Sequence, residues 1–387
     1  MKNKMIINSL IDNDLYKFTM LGVVFRFFSR VLVTYKFKCR NASNWTKEMV
    51  EEVRREIDHY LSLKFKEKEI MYLNTLGYFS HNLMMMLNNY VGDKSSYTLQ
   101  YVEGKAPVIT FKGLWYLRIL YEVPFLAIIN EVYFRNTTDI EKVKASGLKR
   151  LLNKIEKALL SGIPFSDFGT RRRYSFEWQK IVLEHLMKLP NFKGTSNVYF
   201  AMTLGLTPIG TMAHEYIMCG AGMLDKTSIR YSQKFMLDYW WEQYQQSPNL
   251  LIALTDTYGS DAFIRDFGED LPETYSGKTE TLSEAFTGVR HDSGCPFEWG
   301  DKFIKHYESV GIDPMTKLLV FSDGLTIDKA SELYEYFKDR INVTFGIGTH
   351  LTNDFEGVTP LQIVIKLTSV EGNPVAKISD SPGKGMC

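Results

Sequence analysis

From about residue 160 onward, short apolar runs end again and again in a Gly-rich or charged cluster, and helical patterns follow most of them. The clearest are Leu250–Asp256, Ala285–Asp292, Leu318–Asp323 and Val343–Thr349, with weaker examples at Phe165–Arg171, Thr195–Tyr199 and Pro208–Thr211. Helical patterns cover Arg172–Met187, Thr227–Gln245, Glu298–Val310 and Leu325–Lys338. The terminal positions Asp256, Asp292, Asp323 and Thr349 lie 36, 31 and 26 residues apart, which are lengths of a strand with its crossover helix. Alternation of this kind demands a parallel sheet covered on both faces. About seven such units suit a closed or nearly closed β/α barrel, with an open doubly wound sheet as the alternative. In a barrel, polar residues gather at the C-terminal ends of the strands, where active sites are built.

The N-terminal third reads differently. Leu15–Ser29 is an apolar helix, Val31–Lys38 a β-branched and aromatic strand, and Glu48–Leu63 and Glu67–Leu76 are amphipathic helices. Residues 97–112 form a hairpin about Glu103–Pro107, and Leu114–Asn130 is an apolar helix broken or kinked at Pro124. Leu361–Lys366 and Ala376–Ser379 read as further strands that rejoin the first domain. The expected organisation is α/β: an N-terminal domain over 1–125 with both helices and strands, an irregular β/α barrel over 126–354, and C-terminal strands over 355–387. The last residue, Cys387, follows no helical pattern, and a short further tail is expected.

Composition narrows the function classes. Of 387 residues, 46 Lys and Arg balance 45 Asp and Glu, so no basic excess exists for non-specific nucleic-acid binding. The content of 45% hydrophobic and 24% charged residues is that of a folded chain. Cys39, Cys219, Cys295 and Cys387 form no C-x-x-C pair, which excludes a disulfide framework or a local zinc site and favours a reducing compartment. The start MKNKMIINSLIDND is not a secretory signal, and the longest charge-free stretch, Gly194–Ala213, is too rich in Gly, Thr and Pro to span a bilayer. A cytoplasmic protein with no membrane partner is expected.

Three clusters at expected strand ends carry the chemistry. Phe345-Gly346-Ile347-Gly348-Thr349 lets backbone N–H groups approach an anion, or forms a tight turn. Gly288-Val289-Arg290-His291-Asp292-Ser293-Gly294 packs charged groups behind an apolar run, where a guanidinium can grip a carboxylate or phosphate. Gly210-Thr211-Met212-Ala213-His214-Glu215 offers a histidine that could serve as base, anion binder or phosphoryl acceptor. Arg171-Arg172-Arg173 adds a cationic turn suited to a multiply charged ligand. No Walker A, H-E-x-x-H or G-x-S-x-G motif occurs.

Taken together, these clusters resemble the nicotinate phosphoribosyltransferase family. The resemblance rests on LIDNDLYKFTM (10–20), FGTRRR (168–173), TSNV (195–198), PIGTMAHE (208–215), TDTYGSDAF (255–263), GVRHDSGCP (288–296), VFSD (320–323), FGIGTHLTND (345–354) and KISDSPGKGMC (377–387), in family order along nearly the whole chain. It implies a type II phosphoribosyltransferase-like fold and a homodimer with shared active sites. It also implies transfer of phosphoribose from phosphoribosyl pyrophosphate to nicotinate, coupled to ATP hydrolysis, with Mg2+ on the pyrophosphate and no assigned metal ligands. By position, Tyr16 would stack on nicotinate, and Thr211 and Arg290 would contact the ring or its carboxylate. Arg171 and Arg172 would bind the ring or the phosphoribosyl donor. Asp292 and Ser293 complete the Arg290 cluster. Ser322 and Asp323 would hold ribose hydroxyls or a metal shell, and Gly346, Gly348 and Thr349 the 5′-phosphate. His214 would accept a phosphoryl group from ATP. Three positions depart from the family pattern: Cys295 where Asp is usual, and Gly324 and His350 where Asn is usual. Loss of a carboxylate at 295 is expected to weaken metal binding or ATP coupling.

Overall fold

A computed structural model of the chain describes residues 4–41, 44–272 and 280–381. Two sheets organise it. The first contains β1 (Leu32–Cys39), β2 (Tyr97–Gln100), β3 (Val108–Leu114), β10 (Ile363–Val370) and β11 (Asn373–Pro374), all antiparallel, in the order β11-β10-β1-β3-β2. Its alternation follows the sequence: Val33 and Tyr35 are buried while Lys36 and Lys38 are exposed, as a sheet with one covered face requires. Tyr35 lies opposite Phe111 and stacks on it at 4.7 Å, and Phe111 in turn meets Phe125 at 5.5 Å.

The second sheet is entirely parallel. It comprises β4 (Phe165–Asp167), β5 (Phe192–Thr195), β6 (Ile252–Leu254), β7 (Gly288–His291), β8 (Leu318–Phe321) and β9 (Asn342–Ile347), in the order β5-β4-β9-β8-β7-β6. A single parallel bridge from Thr195 to Pro208 extends it beyond β5. Among the described residues no ladder joins β5 to β6, so this barrel is irregular rather than a closed eightfold ring. The strands are short because each is followed at once by the polar residues of the rim. Helices Phe176–Leu186 and Ile327–Phe337 begin at Ser175 and Thr326, whose hydroxyls accept the N–H of Trp178 and Lys329.

Several boundaries differ from the sequence reading. The apolar stretch at 114–130 is two helices, Trp115–Arg118 and Glu122–Thr137; Pro124 sits in the first turn of the second, where its missing N–H costs nothing. That second helix runs straight through position 125/126 and packs on both Lys47–Ser62 and the turn at 170–172. Residues 195–199 turn from strand into the helix Val198–Leu204 after Thr195. Residues 376–379 are not a strand: after β11 the chain crosses the rim of the parallel sheet, held by separate contacts such as Ile378 N–H to Thr257 O at 2.7 Å. The structure adds two helices that the sequence reading does not name, Ile140–Ser161 and His81–Asn88.

Candidate active site

The N-terminal segment reaches the parallel sheet by running beside the chain that leaves β5. Leu15 N–H donates to Ser196 O at 2.8 Å, Val198 N–H to Asn13 O at 2.9 Å, and Tyr199 N–H to Ile11 O at 2.8 Å. A buried polar network locks this docking. Arg173 donates bidentately to Asp12, both contacts 2.7 Å, and Asn197 donates to the same carboxylate at 2.7 Å. Asp167, at the end of β4, accepts from Thr195 Oγ1 and Gln179 Nε2 at 2.8 Å each and from Gly169 N–H at 2.9 Å. Burial is the leading influence on Asp167 and pushes its carboxyl up to about 6. Every carboxylate oxygen of Asp12 and Asp167 has a donor, so this region holds structure together.

Beside it lies a cluster built the other way. Tyr16 opens the first helix, Leu15–Phe27, and its backbone lies so close to Gly210 that a Cβ there would come within 2.9 Å of the Tyr16 nitrogen. Arg171 lies on the turn after β4, and Arg290 on β7. Among the described residues no carboxylate pairs with either guanidinium, and Arg290 Nε is buried without a partner. Burial lowers Arg290, and Asp292, Asp256 and Tyr16 restore only part. Burial also weighs on Arg171, but Tyr16, Glu122, Asp292 and Asp14 outweigh it. Tyr16, Arg171, Arg290 and Asp292 therefore share one electrostatic neighbourhood. Both guanidinium groups are half-buried and neither has an ion-pair partner among the described residues, so an anionic ligand could supply a direct one.

His214 begins the helix His214–Met223. Its Nε2 lies 2.7 Å from Asp256 Oδ1 and 3.6 Å from Asp292 Oδ2. Asp256, at the end of β6, also accepts from Ser293 Oγ at 2.6 Å and Lys377 Nζ at 3.0 Å. Burial raises Asp256, but His214, Lys377 and Ser293 together hold it well below the usual carboxylate range. Lys377 Nζ also comes within 3.1 Å of His214 Nε2. The shorter contact to an ionised carboxylate assigns the Nε2 proton to Asp256, and the lysine then donates to the other carboxylate oxygen.

The segment at 377–381 lies across this centre. Asp380 N–H donates to Ser293 Oγ at 3.0 Å, Asp380 Oδ1 accepts Ser260 N–H at 2.9 Å, and Gly294 N–H donates to Ser381 Oγ at 2.9 Å. Residues 382–387 of the KISDSPGKGMC stretch lie outside the described residues. Asp256 and Lys377 are the functional candidates that sequence reasoning passed over. Asp256 carried a signal, since it ends one of the strongest strands; Lys377 carried only its membership of that terminal stretch.

The remaining positions surround the same rim. Thr211 is buried, and its carbonyl accepts Thr19 Oγ1 at 2.6 Å. Ser322, after β8, donates to His291 O at 3.0 Å and approaches Asp292 Oδ1 at 3.4 Å; Asp323 follows it, half-buried. The Gly348–Thr349 turn packs against the turn after β4, where Thr352 Oγ1 donates to Gly169 O at 3.0 Å. Gly346 has a packing reason to lack a side chain, because a Cβ would strike the Phe168 ring at 2.2 Å. Arg172 donates to Ile363 O at 3.1 Å; burial, then Arg171, bring it down to about 9.

Of the departures, Gly324 has φ of +58°, a conformation open to Gly and Asn alike. His350 is half-buried and pushed down to about 4, chiefly by burial. Cys295 is exposed and occupies the N-cap of the helix Pro296–Ser309 without a capping hydrogen bond. His214, Asp256 and Asp292 bring ligand atoms within 4.8 Å of one another. The Lys377 ammonium stands 3.0 and 3.9 Å from the two carboxylates, so a cation already serves them. Asp292 is the more open of the pair, and its oxygens suit a hard divalent ion shared with a phosphate ligand.

Two guanidinium groups without ion pairs among the described residues lie at the C-terminal rim of a parallel sheet, and the surrounding fold is that of a type II phosphoribosyltransferase. The crystal structure of nicotinate phosphoribosyltransferase from Vibrio cholerae is similar with a TM-score of 0.89 and 37% identity, over 100% of this chain and 91% of that one. That from Porphyromonas gingivalis gives 0.89 and 32%, over 98% and 96%. The nicotinate phosphoribosyltransferase of Xanthomonas campestris pv. campestris is 45% identical over 389 residues, covering 99% of this chain and 93% of the relative. The nicotinate phosphoribosyltransferase (NAPRTase) family model matches residues 163–387 and its N-terminal domain model residues 11–130. The chain belongs to the nicotinate phosphoribosyltransferase family. No helix among the described residues is long and apolar enough to cross a membrane.

Proposed function

We propose that this protein joins nicotinate to 5-phosphoribosyl 1-pyrophosphate, giving nicotinate mononucleotide and pyrophosphate, with ATP hydrolysis coupled through His214. The observation that carries the reading is the pair of unpaired cations, Arg171 and Arg290, beside the Tyr16 ring. A flat anionic pyridine satisfies both demands at once: its carboxylate pairs with a guanidinium, and its face stacks on the phenol.

The transfer itself asks little acid–base chemistry of the protein. The pyridine nitrogen lone pair forms the bond to the ribose C1 carbon, and the C1–O bond breaks with its electrons leaving on pyrophosphate. Arg290 and Tyr16 orient the ring, the Gly348–Thr349 turn receives the 5′-phosphate, and Ser322 and Asp323 engage the ribose hydroxyls. Asp292 would share Mg2+ with the pyrophosphate, and that ion would neutralise the charge developing on the leaving group.

In the ATP step, Asp256 holds the proton on His214 Nε2, leaving the Nδ1 lone pair to attack the γ-phosphorus. The bond from that phosphorus to the bridging oxygen breaks and ADP departs. Water later takes the phosphoryl group as inorganic phosphate. Lys377, already beside the imidazole, supplies positive charge to the phosphorylated state. The active form is proposed to be a homodimer with shared sites.

Pyrophosphate release measured with nicotinate, nicotinamide and quinolinate, each with and without ATP, tests the reading. Nicotinate should be strongly preferred and ATP should stimulate. Efficient use of nicotinamide with no use of nicotinate would overturn the assignment, and indifference to ATP would remove the phosphohistidine.

A further inference from the structure

One buried ion cluster has no part in the chemistry described so far. The Lys17 side chain is wholly excluded from solvent, and its ammonium pairs with Glu215 Oε2 at 2.7 Å and with Glu122 Oε2. These three residues begin or nearly begin three helices: Leu15–Phe27, Glu122–Thr137 and His214–Met223. Lys17 directly follows the ring-stacking candidate Tyr16, and Glu215 directly follows the phosphoryl-accepting candidate His214. The two segments are also joined by Thr19 Oγ1 donating to Thr211 O at 2.6 Å and by Ala213 N–H directed at Met20 Sδ at 3.3 Å.

A buried ion cluster is weak evidence for stability, because desolvation offsets much of the attraction. What it supplies is a fixed distance: an ammonium shared by two carboxylates tolerates little sliding of the helices that carry them. We propose that Lys17 and Glu215 are positioning residues that couple the pyridine site to the phosphoryl-accepting histidine. The cluster fixes the start of the His214 helix relative to Tyr16, so that the state of one site is felt at the other. Glu122 anchors the same ammonium from the helix that packs on the Arg171 turn, bringing the third wall of the site into the linkage. This inference rests on the phosphohistidine reading above.

The test compares three purified proteins in one assay of ATP hydrolysed per nucleotide formed. Wild type sets the reference. The variant Lys17→Met/Glu122→Gln/Glu215→Leu replaces the cluster with neutral groups of similar size and leaves no unpaired buried charge. Glu215→Gln keeps an oxygen that can accept from Lys17. The triple variant should waste ATP, its ratio rising about fivefold or more, while Glu215→Gln stays near wild type. A triple variant that melts cooperatively, is less active, yet keeps the wild-type ratio would overturn the proposal, since a merely structural role predicts that pattern. If the triple variant does not melt cooperatively, Glu215→Leu alone takes its place under the same criterion. If wild type forms nucleotide without consuming ATP, the phosphohistidine reading fails and the coupling with it. If wild type couples and the neutral variants couple equally well, the relay alone fails.

Discussion

Arg171 and Arg173 stand two positions apart on one turn and have opposite fates. Arg173 is fully buried and bidentately paired with Asp12, whereas Arg171 meets no carboxylate at ion-pair distance among the described residues. The same contrast separates their surroundings. Around Arg173 every carboxylate oxygen of Asp12 and Asp167 accepts a hydrogen bond, although Arg173 Nε itself has no partner, and Asp167 is pushed up towards its neutral form. Around Arg171, Tyr16 and Arg290 carboxylates act only at a distance, with no ion pair to either guanidinium among the described residues, and the nearby Asp256 is held deep in its charged form. A guanidinium held bidentately by a carboxylate fastens the chain, whereas one without an ion pair is open to an anionic ligand.

The sharpest way to break this comparison is to remove Arg173. Arg173→Ala strands Asp12 in the interior and should destabilise the fold by about 3–5 kcal/mol, measured by urea unfolding. A loss confined to nicotinate affinity would mean that the two arginines had been assigned the wrong way round. Next in size, Arg290→Ala should raise the KM for nicotinate by roughly 100-fold, the loss of a charge-assisted bidentate contact, and raise that of the ribosyl donor less. Steady-state kinetics with each substrate varied in turn would show whether that order is reversed.

The two carboxylates offer a third test, through pH. Burial pushes the Asp167 carboxyl up to about 6, above the ordinary carboxylate range, so its contribution is present below the unfolded value and is lost as pH rises towards 6. Asp256 is depressed, so its contribution is present above the unfolded value and is lost as pH falls. Melting temperature followed from pH 3 to pH 8 should therefore lose part of its slope in opposite ranges in Asp167→Asn and Asp256→Asn. The Asp167 component is on the order of 3 kcal/mol. Identical profiles for the two variants would dissolve the distinction between closed and open networks. The smallest effect belongs to Cys295→Asp, which supplies the missing cap of the helix Pro296–Ser309 and should stabilise by about 1 kcal/mol. A rise in ATP coupling without a rise in melting temperature would instead favour the metal-ligand expectation for that position.

Much of the site was legible because parallel strands buried on both faces read as apolar runs, and a rim residue is whatever polar group ends the run. Asp256, Asp292, Asp323 and Thr349 were readable in this way, and each follows or ends the strand expected for it. The fate of each arginine was not legible: the partner of Arg173 is 161 positions upstream. Nor was the crossing of 377–381, because an extended segment held by isolated contacts has no periodicity to betray it. Gly346 shows the reverse difficulty. A glycine required by the Phe168 ring and one required by a phosphate look identical in a sequence.

Local pattern, which depends on neighbours a few residues apart, was enough to determine the alternating architecture, the strand-end chemistry and the kinship. Pairing was decided only by the tertiary structure. Whether a buried charge is neutralised depends on groups that the chain brings together from more than a hundred residues away, and that outcome separates a structural residue from one that waits for a ligand.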